Sequence, residues 1–361
     1  MDYKEIKFDC KHFKGSLPCK PNKEFNFICQ GCSAYQKIER KILIIKLGAL
    51  GDVIRTTPLL VKLKQLYPNS KVTWLTLSPC VLPQNEIEIV YHLNAVSLFN
   101  IQNSDYDIAI NLDKDTEACI LLTKVNAVEK YGFIWENGHI SVANDAAKHK
   151  LLTGLFDELS KNNTKSYLQE IFEICNLKFN GEPYLINLNE GLSQKWKSKF
   201  SELTDKKIIG LNTGCGPRWN TRLWPVNYWK DLVELLQKAD YFPVLLGGEL
   251  ENEKNIVLSK QTGVYYPGFY SLEEFIAITN SMNVVVTQVS MMMHIATALQ
   301  KQMVLINNIF NSHEFELYGR GEIVEPPQEC LCYYGNSCVK GISCMNDIFP
   351  IDLFNAIQRN S

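Results

Sequence analysis

The sequence predicts an α/β protein built from two doubly wound domains that face a central cleft, with a small cysteine-rich extension ahead of them. Three features carry that expectation. Apolar runs of strand length recur along the chain, a glycine-bearing loop follows several of them, and helical patterns alternate with them in two successive blocks.

Residues 1–40 lack a long apolar period and are rich in Lys and Cys, which marks them as the extension. KILIIKL (41–47) opens the first block as a continuous apolar run, the pattern of a strand buried on both faces of a parallel sheet. GALGD follows as a turn, and VIRTTPLLVKLKQLY continues as an amphipathic helix. VTWLTL (72–77) and DIAINL (107–112) are the next strands, and TEACILLTKV is helical. The charged, weakly patterned stretch at about 185–205 is expected to connect the domains. The alternation then restarts with KIIGLNT (207–213), the helix PVNYWKDLVELLQKA, the strands FPVLLGG (242–248) and NVVVTQ (283–288), and a helical MMMHIATALQ. The expected division is 1–40, 41–190, 205–330, and a cysteine-rich segment with a C-terminal helix at 330–361.

At 361 residues the chain suits two domains rather than one. A net charge of −2 gives no electrostatic case for nucleic acid as a partner. No apolar run reaches the roughly 18 residues of a spanning helix, and the polar start MDYKEIKFDCKHF does not read as a signal peptide, so a cytoplasmic location is expected.

Open α/β sheets bind ligands beyond the carboxyl ends of their strands, so four loops hold the candidate site. In IIKLGALGD, Gly48 and Gly51 allow a tight turn and leave room for a ligand. Asp52 stands where a helix begins, either as its cap or as a carboxylate able to take a proton from a sugar hydroxyl. Lys46 lies at the end of the same strand. In LNTGCGPRWNTRLWP (211–225), Thr213, Gly214 and Gly216 form a narrow turn, and Arg218 and Arg222 suit a diphosphate. LLGGELENE (245–253) places Gly247 and Gly248 to admit a nucleoside, with Glu249, Glu251 or Glu253 for ribose hydroxyls. TQVSMMMHIATAL puts Ser290 and backbone amides at a helix start, with His294 one turn on, as an anion site or as hydrogen-bonded structure.

Taken in order, IIKLGALGDVIRTTPLL, GLNTGCGPRWNTRLWP, VLLGG and MHIATALQK resemble the inverting heptosyltransferases of glycosyltransferase family nine, over most of 41–350. The resemblance implies a GT-B fold of two Rossmann-like domains, acceptor domain first and nucleotide-sugar domain second. It implies ADP-heptose or a related nucleotide sugar as donor, and a lipopolysaccharide-core, other glycan, lipid-linked or protein acceptor, with peripheral membrane contact through the acceptor. By motif position it makes Asp52 the general base, with Lys46 nearby at the developing negative charge. Arg222 falls on the donor phosphates, Thr213 and Gly214 line the phosphate loop, and Ser290 and His294 fall in the donor-binding helix start. Where the family usually reads Asp-Thr-Gly or Asp-Thr-Leu, this chain has Val289, Ser290 and Met291. A sugar-nucleotide epimerase and a non-catalytic binding module are the rival readings.

Eight of the twelve cysteines fall in two sets of four: Cys10, Cys19, Cys29 and Cys32, then Cys330, Cys332, Cys338 and Cys344. In a reducing compartment such sets favour metal over disulfide, and four thiolates suit structural zinc; free thiols and redox disulfides are the alternatives. The resemblance to protein-heptosylating relatives with Cys-ligated iron adds iron for the second set. No metal is expected in the catalytic step.

Overall fold

The computed structural model describes residues 2–328, 330–335 and 337–361. Two sheets organise them. The first contains β1 (Lys41–Ile45), β2 (Lys71–Thr76), β3 (Ile89–His92), β4 (Asp105–Asn111), β5 (Asn126–Glu136) and β6 (His139–Val142), in the order β3-β2-β1-β4-β5-β6. Its first five strands are parallel, with Ile44 level with both Trp74 and Ile110. β6 runs antiparallel to β5 because Asn137 and Gly138, both at positive φ (50° and 85°), close a two-residue hairpin.

The second sheet contains β7 (Ile208–Asn212), β8 (Phe242–Leu246), β9 (Val284–Gln288), β10 (Gln302–Ile306) and β11 (Gly321–Val324), in the order β11-β10-β9-β7-β8, all parallel. Both sheets are doubly wound, as the apolar runs predict. Each therefore has a point where the strand order reverses, between β1 and β4 in the first and between β7 and β9 in the second. Loops diverge at such points and leave a crevice.

The stretch expected to connect the domains is largely a helix, Glu190–Leu203. Its charges hide two anchors, since Trp196 and Phe200 are 1% exposed and pack with Tyr270 and Tyr265. The Trp196 indole N–H donates to Glu274 at 3.0 Å, fixing this helix to the second domain. The chain's last helix, Pro350–Arg359, buries Leu353, Ala356 and Ile357 in the same core as Trp224 and Trp229. Full burial of one such aliphatic side chain stabilises by about 1.5–3 kcal/mol.

The extension sits at the N-terminal ends of β1 and β2, the pole away from the crevices. Lys11 pairs with Glu88 at 3.0 Å, and the Glu39 carboxylate accepts from Asn69. Among the described residues, no helix is long and apolar enough to cross a membrane.

Candidate active site

The two crevices open onto one cavity of about 370 Å³ between the domains. The loop after β1 supplies Ala49, Leu50, Gly51, Asp52 and Arg55; the loops after β7 and β9 supply Arg218, Trp219, Arg222, Ser290 and His294.

Asp52 is the third residue of the helix Leu50–Ile54, and its carboxylate accepts the Ala49 N–H at 3.3 Å. It is therefore part of the helix start and also borders the cavity. Burial pushes its carboxyl up, but Arg55 and then Lys46 outweigh that and hold it below the ordinary carboxylate range. Arg55 Nε lies 2.8 Å from Asp52 Oδ1, as expected for residues three apart on a helix. Asp52 is thus ionised at neutral pH, with its side chain still one-third exposed (32%).

Lys46 is placed differently from its expected position beside the reacting groups. Its ammonium is buried in an ion pair with Asp113, which also accepts the Leu47 N–H, and it does not border the cavity. A strand buried on both faces gives a lysine at its end one low-cost partner, a carboxylate from the neighbouring β4–helix loop. Lys46 therefore acts on Asp52 only through its field.

The two arginines divide. Arg222 is 7% exposed, and its N–H groups donate to three carbonyls, those of Val289, Cys215 (2.6 Å) and Trp219 (3.3 Å). It braces the loop after β7 against the start of the helix Met291–Ala298, with two of its five N–H donors left. Arg218 is exposed, lies 4.3 Å over the Trp219 ring and also borders the cavity.

Ser290 caps that helix in extended backbone, its hydroxyl 3.2 Å from Thr287 Oγ1. His294 is buried, stacks on Tyr184, and has no partner for Nδ1 among the described residues. Burial, reinforced by Arg55, lowers it to about 3, so it is neutral at pH 7. Thr213 does not reach either ligand cavity, since its hydroxyl donates to Asn255 at 2.7 Å and it is wholly buried.

A second cavity of about 420 Å³ adjoins the first at Ser290 and Met291 and is bordered by Gly214, Gly248, Glu251, Tyr270 and Phe275. Glu251 accepts the Gly248 N–H at 2.9 Å and crowds Gly214, where a β-carbon would lie 2.0 Å from Oε1. Of the three glutamates in this loop, Glu249 and Glu251 border the cavity, and Glu251 is the one packed against both glycine turns. Met291 borders both cavities, at the position where the family pattern is broken.

Sequence reasoning missed Arg55, Glu314 and Tyr334, all at the first cavity. Arg55 follows Asp52 by three residues, a helical spacing that could have found it. Nothing local marks the other two.

All twelve cysteines are free. The first four, with His12, border one cavity of about 280 Å³ in the extension. In the last segment the Cys332 and Val339 N–H groups point at the Cys330 and Cys332 sulfurs at 3.4 and 3.3 Å. Among the described residues no group of three or more His, Cys, Asp or Glu is set to hold a metal ion. In the second set Cys330 lies beside Cys344 and Cys332, and Cys338 beside Cys332; binding of a metal at such a set is coupled to folding.

Comparison with known proteins places these features. The family model for glycosyltransferase family 9 (heptosyltransferase) matches residues 99–321, more than half the chain. A lipopolysaccharide heptosyltransferase 1 from Campylobacter coli is 23% identical over 74% of this chain and 83% of its own. The structure of the E. coli ADP-heptose LPS heptosyltransferase II superposes with a TM-score of 0.64 at 16% identity, covering 88% of this chain and 98% of that one. TibC, an iron-containing dodecameric glycosyltransferase of enterotoxigenic E. coli, superposes with a TM-score of 0.55 at 11% identity, covering 90% and 76%. The chain belongs to glycosyltransferase family 9, the heptosyltransferases, and is a glycosyltransferase with two facing parallel-sheet domains of the GT-B type.

Proposed function

We propose that the protein transfers a heptose, with inversion, from ADP-heptose to a hydroxyl of a lipopolysaccharide-core sugar or a related glycan or protein acceptor. One observation carries the reading: an ionised, partly exposed carboxylate from the first domain and an exposed guanidinium from the second, Asp52 and Arg218, border the same cavity. The names of the family's solved and curated relatives support the donor and the lipopolysaccharide acceptor.

In this reading the nucleoside enters the cavity at Gly248 and Glu251, and the diphosphate lies at Ser290 and Arg218. The acceptor oxygen attacks the anomeric carbon from the face opposite the diphosphate and gives its proton to Asp52. The bond from that carbon to the phosphate oxygen breaks, and ADP leaves with its charge met by Arg218 and the helix start. Arg222 keeps the loop and the helix in register and offers its two remaining N–H groups. His294, neutral, shapes the wall between them. A low-lying carboxyl is a weak base at rest, so proton transfer falls late, as the new bond forms.

The cysteine sets complete the proposal as structural sites, zinc or iron at Cys10, Cys19, Cys29 and Cys32 and at Cys330, Cys332, Cys338 and Cys344. The free thiols and His12 around one cavity support the first; the N–H groups aimed at sulfur and the iron-containing neighbour support the second.

The test is incubation with ADP-heptose and a panel of core oligosaccharides. Release of ADP with a new β- or α-linkage opposite to the donor's supports the reading. Binding of the nucleotide without ADP release or sugar transfer would reassign the protein as a non-catalytic module, and conversion of the donor sugar alone as an epimerase.

A further inference from the structure

Arg55 stands between two carboxylates from different domains. On one side Asp52 is 2.8 Å away; on the other Glu314, from the second domain, lies 3.9 Å from Nη1. Its guanidinium rests 3.5 Å over the Tyr167 ring, so it is held in place rather than waving in solvent. Arg55 and Glu314 are largely buried, at 16% and 13% side-chain exposure, which leaves little water to screen the pair.

Glu314 is held in turn. The Tyr334 hydroxyl donates to its Oε1 at 2.9 Å. Tyr334 belongs to the cysteine-rich segment, two residues after Cys332, in left-handed backbone with φ 48°. Its N–H donates to Ile309, and the next residue's N–H closes a turn on the Cys332 carbonyl at 2.7 Å. Its neighbour Tyr333 crosses to the first domain, donating to Ser160 Oγ at 2.8 Å. The segment therefore touches both domains beside the cleft, and one of its side chains fixes the acid that faces Arg55.

A carboxylate that has one arginine to itself is a poor proton acceptor, and sharing that arginine with a second carboxylate restores basicity. The groups facing Asp52 are Arg55, Lys46 and His294; those around Arg55 are Asp52, Glu314, Tyr167 and Tyr184. Lys46 already has Asp113. Among the described residues, Glu314 is the carboxylate that the opposite domain brings to the cavity.

We propose that Glu314 is a positioning residue: it shares Arg55 with Asp52, and Tyr334 of the cysteine-rich segment holds it there, so that the approach of the second domain sets how tightly the base is paired. The proposal rests on the reading of Asp52 as general base and adds what governs it.

The experiment follows ADP release from ADP-heptose, with water as acceptor, across pH 3–8 for wild type, Glu314→Gln, Glu314→Asp, Tyr334→Phe and Asp52→Asn. Glu314→Gln is expected to lower kcat about tenfold with donor KM changed less than about twofold, and to move the acidic limb of kcat to lower pH. Glu314→Asp should recover part of kcat, and Tyr334→Phe, which keeps the ring, should lower kcat with the same unchanged KM. Wild-type kcat and an unmoved limb in Glu314→Gln, with Asp52→Asn slow, would overturn the positioning role alone. A raised KM or lowered Tm with an unmoved limb would make Glu314 merely structural. Full activity in Asp52→Asn would overturn the base and this proposal with it. Should Glu314→Gln fail to fold, Tyr334→Phe decides by the same kcat-against-KM split.

Discussion

Gly51 and His294 meet across the two domains so closely that a β-carbon on Gly51 would lie 2.6 Å from His294 Cδ2. The helix that carries Asp52 is thereby pressed against the helix that begins at the proposed diphosphate site. The glycine expected to leave room for a ligand borders the cavity and also leaves room for the other domain.

Gly51→Ala tests this contact. In an ordinary helix alanine would stabilise by about 0.8–1 kcal/mol. Here overpacking by about 1–3 kcal/mol should outweigh that gain, and turnover should fall as the two helices separate. Urea unfolding of the variant reads the sign. A more stable, fully active Gly51→Ala would show that the domains meet elsewhere.

Arg218 and Arg222 should behave oppositely. Arg218→Gln is expected to raise donor KM roughly tenfold and leave the fold's stability within about 0.5 kcal/mol, because its charge is exposed. Arg222→Gln strips three carbonyls of charged donors and should cost about 1.5–3 kcal/mol of stability. Paired melting curves and donor titrations separate the two roles; equal effects in both assays would contradict the division.

His294 predicts a pH dependence. Its folded value of about 3 lies below the ordinary 6.5, so the unfolded chain binds the extra proton between those limits. The contribution is present above about pH 6.5 and is lost as pH falls, by up to about 1.4 kcal/mol per unit. Denaturant midpoints for wild type and His294→Gln between pH 4 and 7 should show a shallower slope in the variant. Parallel slopes would mean that the imidazole titrates freely.

Much of this was legible in the residues and some was not. The buried parallel strands β1, β4, β7 and β9 show as continuous apolar runs because they are covered on both faces. β5 escaped notice because its first half is mostly polar and partly exposed, and β3 because it is four residues long and half-buried. The helix Glu190–Leu203 hid behind its charges, its packing resting mainly on two aromatic side chains. At the site, Asp52 and Arg218 could be located from their loops. The occupation of Lys46 by Asp113, of Thr213 by Asn255 and of Arg222 by the Val289 carbonyl could not, since each of these partners comes from a distant stretch of chain. Glu314 and Tyr334 enter the site only through tertiary contacts, which no local pattern encodes.

Metal removal addresses the cysteine sets. The extension lies at the pole opposite the cavity, so chelation should expose residues 1–40 to protease before it alters turnover. Structural zinc supplies about 10–16 kcal/mol in finger-like peptides, enough to order a segment without its own core. Metal content by mass spectrometry, digestion pattern and rate are followed together. Loss of turnover in step with metal release would place the metal in the reaction instead.

The most direct test of the account is single-turnover transfer by Asp52→Asn with ADP-heptose and a competent acceptor, alongside donor binding. The account predicts transfer slower by about 10²–10⁴-fold with nearly unchanged donor affinity. Transfer at the wild-type rate would contradict it and leave Asp52 as a helix-start carboxylate alone.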